Sequence, residues 1–492
     1  MSKARGVRFI AFVSIFVIAG VAAGATAASD KILSIVLPLV VAISGILYAI
    51  FTKKKTIAVL LVAFALGFSV AAIDFKASDR AYFNEKTTVS GRVCAGENKG
   101  FVIENVVIGG EKVGGKAFVN SKYEFEIGTL VSIEGKVKTY DVDIKDTFSA
   151  RAFNKKIYYY VSAYDGINAT VGDKTLAEKA KAKIERALNR YLNRENAGVM
   201  KSLLFGDKTD LREQDNEVIK VAGVSHIFAV SGLHIGFLAG LLMFILRKLR
   251  VNSVVTLFAV VGLLLFYGAI TGFPSGVKRA TIMLTLMQLS KIFARKNDLL
   301  TTLGVSAAII TVTNPRELFD VGFLMSFAAV LGIICFYKPI FNALCKITKN
   351  VFFVSVFKLL STTIAASLFV LPITINVFNT VSVYAPLANL VILPIISVVF
   401  PFAAAVAILT IIFSKFGILF YLTGYAVDVI RILAQRIYAL PSASTEITSL
   451  GDATWFYVLF LTVFSRFVHI EKRYKYMIGG ACGAAIIAIA AL

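Results

Sequence analysis

The stretch NSVVTLFAVVGLLLFYGAI, residues 252–270, runs for nineteen residues without one charged side chain. It leads directly into TGFPSGVKRA, residues 271–280, where two glycines, a proline and two cations crowd into ten positions. At about 1.5 Å of rise per residue, the first stretch is long enough as a helix to cross the ~30 Å hydrocarbon core of a bilayer. The second cannot continue that helix, because Gly272, Pro274 and Gly276 all disfavour a helix interior. A spanning helix that breaks and restarts beside Lys278 and Arg279 points to a membrane protein with discontinuous helices.

On either side the same pattern recurs. Apolar runs at 7–28, 32–51 and 56–73 open the chain, and ten candidate segments follow from Ser225: 225–246, 252–270, 277–290, 299–313, 319–337, 359–378, 391–413, 416–437, 454–468 and 477–492. The 492-residue composition agrees, with 57% hydrophobic and only 17% charged residues, against about 25% charged in soluble proteins. Disorder, a coiled coil and a disulfide scaffold are excluded. Cys94, Cys335, Cys345 and Cys482 show no metal or redox spacing. A first span followed at once by a second and a third reads as a retained helix, not as a cleaved signal peptide.

Net charge is +22, and its placement predicts topology. If the ten later segments alternate from an outside start, the inner connections hold Arg247, Lys248, Arg250, Lys291, Arg295, Lys296, Lys338, Lys346, Lys349, Lys358, Lys415, Lys472, Arg473 and Lys475. The outer ones hold Arg316 with Glu317, then Glu446 and Asp452. That asymmetry puts residues 74–224 and the C-terminus outside. The side of the N-terminus depends on whether both of the first two apolar runs cross.

Between 85 and 163 the periodicity changes to short alternating runs at 87–93, 101–108, 117–119, 130–137 and 157–161, separated by glycines and charges. Five strands at this spacing predict a small antiparallel barrel of OB type. Residues 174–194 then read as an amphipathic helix. The expected organisation is an N-terminal membrane segment (1–73), an extracellular OB-like domain (74–170), a helical linker (171–224) and a transmembrane domain (225–492).

Polar groups inside membrane segments are expensive and mark function or a satisfied helix seam. Ser231 and His234, three apart, share a helix face in the segment opening at Ser225. They form either a polar seam or the wall of an aqueous path. Lys278 and Arg279 follow the helix break, where free amides favour anions; the alternative is snorkelling to the interface. Ser225, His226, Lys278, Arg279, Arg316, Asp320 and Asn389 all map to the outer end of the bundle, like a mouth. No P-loop, Rossmann or H-E-x-x-H pattern occurs, and Ser231 is not in a G-x-S-x-G elbow. His226, His234 and Asp320 make only a weak metal set. No cofactor is expected.

HIFAVSGLH (226–234), PSGVKRA (274–280), Pro315 with DVGFLMSF (320–327), and APLANL (385–390) with Pro394 resemble, in that order, the motifs of the ComEC family of competence channels. The 128–135 and 148–160 stretches are similar, more loosely, to that family's extracellular OB-like region. The resemblance implies a channel that imports single-stranded DNA through the cytoplasmic membrane in natural transformation, with a DNA receptor outside and a helicase-like motor inside. It suggests phosphate-meeting cations and base-stacking aromatics as lining: His226, Phe228, Ser231, His234, Phe273, Lys278, Arg279, Arg316, Asp320, Phe323, Ser326 and Asn389, with Phe237 and Phe327 as further rings. Many members carry a metallo-β-lactamase-like domain, but no H-x-H-x-D-H cluster occurs here. Nuclease activity is therefore not implied, and a separate nuclease, or none, is expected. The fold expected is a polytopic α-helical membrane protein of about 11–13 segments, some broken or re-entrant, with an inserted OB-like barrel. The rival readings are a membrane-embedded hydrolase using Ser231, His234 and Asp320, and a small-anion transporter, for which no inverted repeat is visible.

Overall fold

The computed structural model describes residues 2–27, 55–76, 84–97, 100–123, 125–139, 155–348, 350–447, 451, 453–465 and 477–482. The expected span at 32–51, the 466–476 connection and residues 483–492 lie outside these described residues. By their contacts the residues fall into two compact units. The first comprises Met1–Ala182, Leu265–Gly272 and Thr281–Asp320; the second comprises Lys183–Leu264, Phe273–Ala280 and Val321–Leu492.

In the first unit, α1 (Ser2–Ala27) packs on α2 (Lys55–Lys76). Their contact is backbone to backbone. A Cβ at Gly20 would lie 2.0 Å from the Phe64 carbonyl oxygen, one at Gly24 2.3 Å from that of Phe68, and one at Gly67 2.1 Å from that of Val17. Small residues four apart are what let two apolar helices approach this closely when burial from water is not the driving force.

The barrel follows from alternation. Its strands are β1 (Asn84–Glu97), β2 (Gly100–Ile108), the short β3 (Glu111–Lys112), β4 (Lys116–Asn120), β5 (Leu130–Thr139) and β6 (Ile157–Thr170). β1 pairs with both β2 and β5, which closes the ring β1-β2-β4-β6-β5; β4 and β6 run parallel and the other pairs antiparallel. Along β5, Val131, Ile133, Gly135 and Val137 are buried and alternate with Ser132, Glu134 and Lys136, which are not. The aliphatic side chains among them meet Val89, Val93, Phe101, Ile103, Val106, Val119, Tyr159 and Val161 in one core. The five strands expected from sequence are all present as a closed OB-like barrel, but the parallel β4–β6 pair means that it is not the fully antiparallel barrel the sequence predicts. β3 is an addition: Gly109 and Gly110, both at positive φ (59° and 91°), turn β2 back on itself.

Arg92, on β1, reaches the start of α3 (Leu176–Tyr191). Its Nη2 donates to Glu178 Oε2 at 2.6 Å and to the Asp173 carbonyl at 3.2 Å, while Nη1 donates to Glu104 at 3.1 Å. Glu178 also accepts from the Thr175 backbone N–H at 2.7 Å, and Thr175 Oγ1 accepts from the Glu178 N–H at 3.3 Å, a reciprocal cap. Burial alone would raise the Glu178 carboxyl, but the Arg92 and Thr175 hydrogen bonds outweigh it and hold the group below its ordinary value. A lowered folded value contributes stability that is fully present above the ordinary 4.5 and is lost as pH falls through the lowered one. We expect Glu178→Gln to cost about 1 kcal/mol at pH 7 and to flatten that acid limb, measured by thermal unfolding between pH 3 and pH 7. An unchanged acid limb would refute the assignment.

The second unit holds α4 (Arg194–Phe205), α5 (Glu213–Val221), α6 (Gly232–Lys248), α10 (Val321–Leu344), α11 (Val351–Phe378), α12 (Ala385–Ile412), α13 (Phe420–Tyr438) and α14 (Ala453–Phe464). A two-stranded ribbon pairs β7 (Thr380–Ser382) with β8 (Ser444–Glu446). Three helices have residues in both units, α3, α7 (Ser253–Thr271) and α8 (Ser275–Ile292), while α9 (Leu299–Thr313) lies wholly in the first.

Among the described residues, five segments are long and apolar enough to cross a membrane: 253–271, 321–344, 351–378, 385–412 and 414–438. The protein is a multi-pass membrane protein. The other expected segments within the described residues are shorter or carry more charge, and one starts late. Helix α6 begins at Gly232, not at Ser225, because residues 224–231 form a turn-rich approach. Their apolar side chains, Val224, Ile227, Phe228 and Val230, are buried without being helical, which is why hydropathy alone extended the helix.

Helix α13 carries the polar cluster that sequence reading passed over. Arg431 lies 2.7 Å from Glu195 and 3.4 Å from Asp215, and Asn196 donates to Asp428 at 2.9 Å. Arg212 also pairs with Glu195 and Asp215. Charges on a helix of spanning length are tolerated when they are paired, and here α4 and α5 supply the partners.

Candidate functional site

Two helix starts meet in the second unit. At the first, Ser231 occupies the N-cap of α6 in an extended conformation. Its backbone N–H donates to His234 Nδ1 at 3.0 Å, and its Oγ lies 3.0 Å from the same nitrogen. An Nδ1 that accepts places the ring proton on Nε2. That Nε2 is buried and has no hydrogen-bond partner among the described residues. The ring stands edge-on to Phe400 of α12, with centroids 4.4 Å apart.

The second start follows the break foreseen from sequence. Helix α7 ends at Thr271, Gly272 and Phe273 both take positive φ (75° and 52°), and α8 begins at Ser275 after Pro274. A Cβ at Gly276 would stand 3.2 Å from the Val230 carbonyl oxygen and 3.7 Å from Ser231 Cα, so the two starts abut. One turn further, Arg279 is only 8% exposed and its guanidinium lies over the Phe327 ring at 5.9 Å. Gly232 makes the room, since a Cβ there would be 2.8 Å from Arg279 Nη2. Phe327 in turn packs against the buried Phe323, the rings tilted by 33° with centroids 4.3 Å apart.

Of the residues singled out from sequence, the fold thus gathers Ser231, His234, Arg279, Phe323 and Phe327. Lys278 is half-buried beside Arg279 on α8, and Ser326 is half-buried on α10. Asn389, in the first turns of α12, is buried with its Oδ1 unpartnered among the described residues. His226 is exposed, Phe273 is at the edge of exposure, and Phe228 is sealed in the core with its carbonyl accepting from Ser202 Oγ at 3.1 Å.

Arg316 and Asp320 belong to the first unit. Arg316 sits in a 3₁₀ turn (Pro315–Phe319), 2% exposed, with Nε 3.0 Å from Asp74 Oδ2 and its guanidinium over Tyr158 at 5.1 Å. A guanidinium already neutralised by a carboxylate has less to offer an anion than Arg279. Among the described residues no group of three His, Cys, Asp or Glu side chains is placed to hold a metal ion. Sequence reading missed Gly232 and Phe400. The Ser231-Gly232 pair three residues ahead of His234 is a cap signal that could have placed the helix start; nothing local marks Phe400.

Comparison with known proteins agrees with the family resemblance. A family model described as Competence protein matches residues 203–471, which include both helix starts and exclude the barrel. ComE operon protein 3 of Bacillus subtilis (strain 168) is 25% identical over 234 residues, 47% of this chain and 29% of that protein. An uncharacterized protein of Aquifex aeolicus (strain VF5) is 30% identical over 138 residues, 28% of this chain and 32% of that protein. The chain therefore spans about a third of the length of these curated relatives. No solved structure matches.

Proposed function

We propose that this chain, which belongs to the Competence protein family, is a channel that conducts single-stranded DNA across the cytoplasmic membrane during natural transformation. One observation carries the reading: a buried cation, Arg279, with no carboxylate partner among the described residues, lies where two helix starts abut. Cations for phosphates beside aromatic faces for bases, here Phe327 and Phe323, suit a strand of any sequence. The barrel would guide the strand on the outer face, and a receptor outside and a helicase-like motor inside, with a separate nuclease or none, would complete the pathway. Labelled DNA uptake by cells with and without the protein tests this; equal uptake would overturn it.

The sidedness has its own test. With residues 74–224 outside, a cysteine replacing Gly110, exposed at the β2–β3 turn, should react with an impermeant maleimide added to intact cells. Labelling only after the cytosolic face is opened would reverse the topology.

The 3.0 Å contact between Ser231 and His234 also invites a hydrolase reading. Against it, among the described residues no acceptor orients the ring through Nε2, as a triad requires. Ser231→Ala should therefore lower DNA flux only a few-fold, about 1 kcal/mol of local hydrogen bonding, and abolish no turnover. Purified protein that cleaves DNA or peptide, and stops on that substitution, would replace the channel reading.

A further inference from the structure

Arg279 poses an electrostatic problem that the described chain does not solve. Its Nε is buried without a hydrogen-bond partner, and its one described contact of charge is the Phe327 ring. No carboxylate pairs with it among the described residues, whereas Arg316, Arg431 and Arg92 each have one. An arginine does not shed its proton to escape burial, so the uncompensated charge stays and is costly. The surroundings add to the imbalance. Nη2 lies against Gly232, the first residue of the 17-residue helix α6, whose first-turn amides have no intrahelical acceptors and carry the positive end of the helix dipole. Arg279 itself is in the second turn of α8, near another positive end. Two positive helix ends and a cation thus meet, with no carboxylate paired to Arg279 among the described residues.

We propose that this junction is a seat for a single phosphodiester group, bound by Arg279 against the first turn of α6, and that the group belongs to the strand being conducted. The inference rests on the channel reading and narrows it: of the adjacent pair Lys278 and Arg279, it assigns the phosphate contact to Arg279. The glycine at 232 follows from the same geometry. Any side chain there would occupy the guanidinium's place, 2.8 Å from Nη2. A seat that holds one phosphate, rather than a long basic groove, lets each phosphate leave as the next arrives. The Phe327 ring under the guanidinium keeps the cation in place between occupants.

The test uses the full purified chain in a phosphate-free maltoside detergent, at constant ionic strength. Thermal unfolding is followed with inorganic phosphate, with a short oligodeoxythymidylate and with phosphatidylglycerol, each against chloride. Phosphate and the oligonucleotide should both raise the midpoint of the unaltered protein. Arg279→Gln should weaken oligonucleotide binding by about 10- to 100-fold, as expected for losing a charged hydrogen bond, and Arg279→Lys should recover part of it. Should Arg279→Gln fail to fold, Gly232→Ala keeps the charge, displaces the guanidinium and is expected to weaken binding in the same direction. Equal responses in the unaltered protein and these variants, or no response to phosphate or oligonucleotide at all, would overturn the seat. A response to phosphatidylglycerol alone would assign the site to lipid headgroups and overturn the assignment to the strand. DNA import measured in parallel separates the two readings: a chain that binds phosphate through Arg279 yet imports no DNA refutes the channel and leaves the seat standing.

Discussion

Cells whose only copy carries Lys278→Glu together with Arg279→Glu should import labelled single-stranded DNA at least about 100-fold more slowly than cells with the unaltered protein. The estimate follows from losing the charge-assisted contact of Arg279, at about 1.5–3 kcal/mol, and from the repulsion of phosphate by two introduced carboxylates, with every 1.4 kcal/mol worth a factor of ten. The folded state should tolerate the change better than reversal of a buried charge usually allows. A carboxylate at 279 would lie near the positive ends of α6 and α8, which accept negative charge. Protein level in the membrane should therefore stay near normal while phosphates are repelled. Import through the unaltered chain should also depend more steeply on salt than import through the double alanine variant, because fewer counterions are released when fewer phosphates are contacted. Near-normal import at normal protein level would mean that both cations face lipid headgroups. Equal salt slopes would remove them from the path.

The second large effect concerns assembly. Gly67→Leu should destabilise the first unit by about 3 kcal/mol or more, at the upper end of what overpacking costs. The Cβ alone would come 2.1 Å from the Val17 carbonyl oxygen, and a helix backbone cannot step aside as a side-chain tip can. Helices α1 and α2 would have to separate along the Gly20, Gly24 and Gly67 contact, and contacts between α1 and α9 would be disturbed as well. The measurement is the unfolding midpoint in detergent and the amount accumulated in membranes. Gly262→Leu on α7 is the control, because nothing lies within 4 Å of its Cβ position; it should be near neutral. If both variants behave alike, the close crossing is not what holds α1 to α2.

These two predictions draw on different levels of information. That the chain enters a membrane, that residues 84–170 alternate into a barrel, and that a helix must break at 272–274 were all legible in sequence. Each depends on neighbours within a few residues: a run of apolar side chains, a period of two, or a proline between two glycines. The helix start at Ser231 was legible in principle, but the apolar residues before it carried the reading seven positions too far. The α1–α2 crossing was half legible, since Gly20 and Gly24 stand four apart, but their partner Gly67 is more than forty residues on.

What the tertiary structure alone decided is which charges are paired. Arg279, Arg316 and Arg431 look alike in sequence, as cations inside or beside apolar segments. Folding gives Arg316 a carboxylate at Asp74, 242 residues earlier in the chain, gives Arg431 Glu195 and Asp215, and leaves Arg279 with the face of Phe327. A hydropathy pattern is a property of adjacent residues and survives any rearrangement of distant ones. The free energy of a buried charge depends on the few ångströms around it, and those are filled by residues far away in the chain.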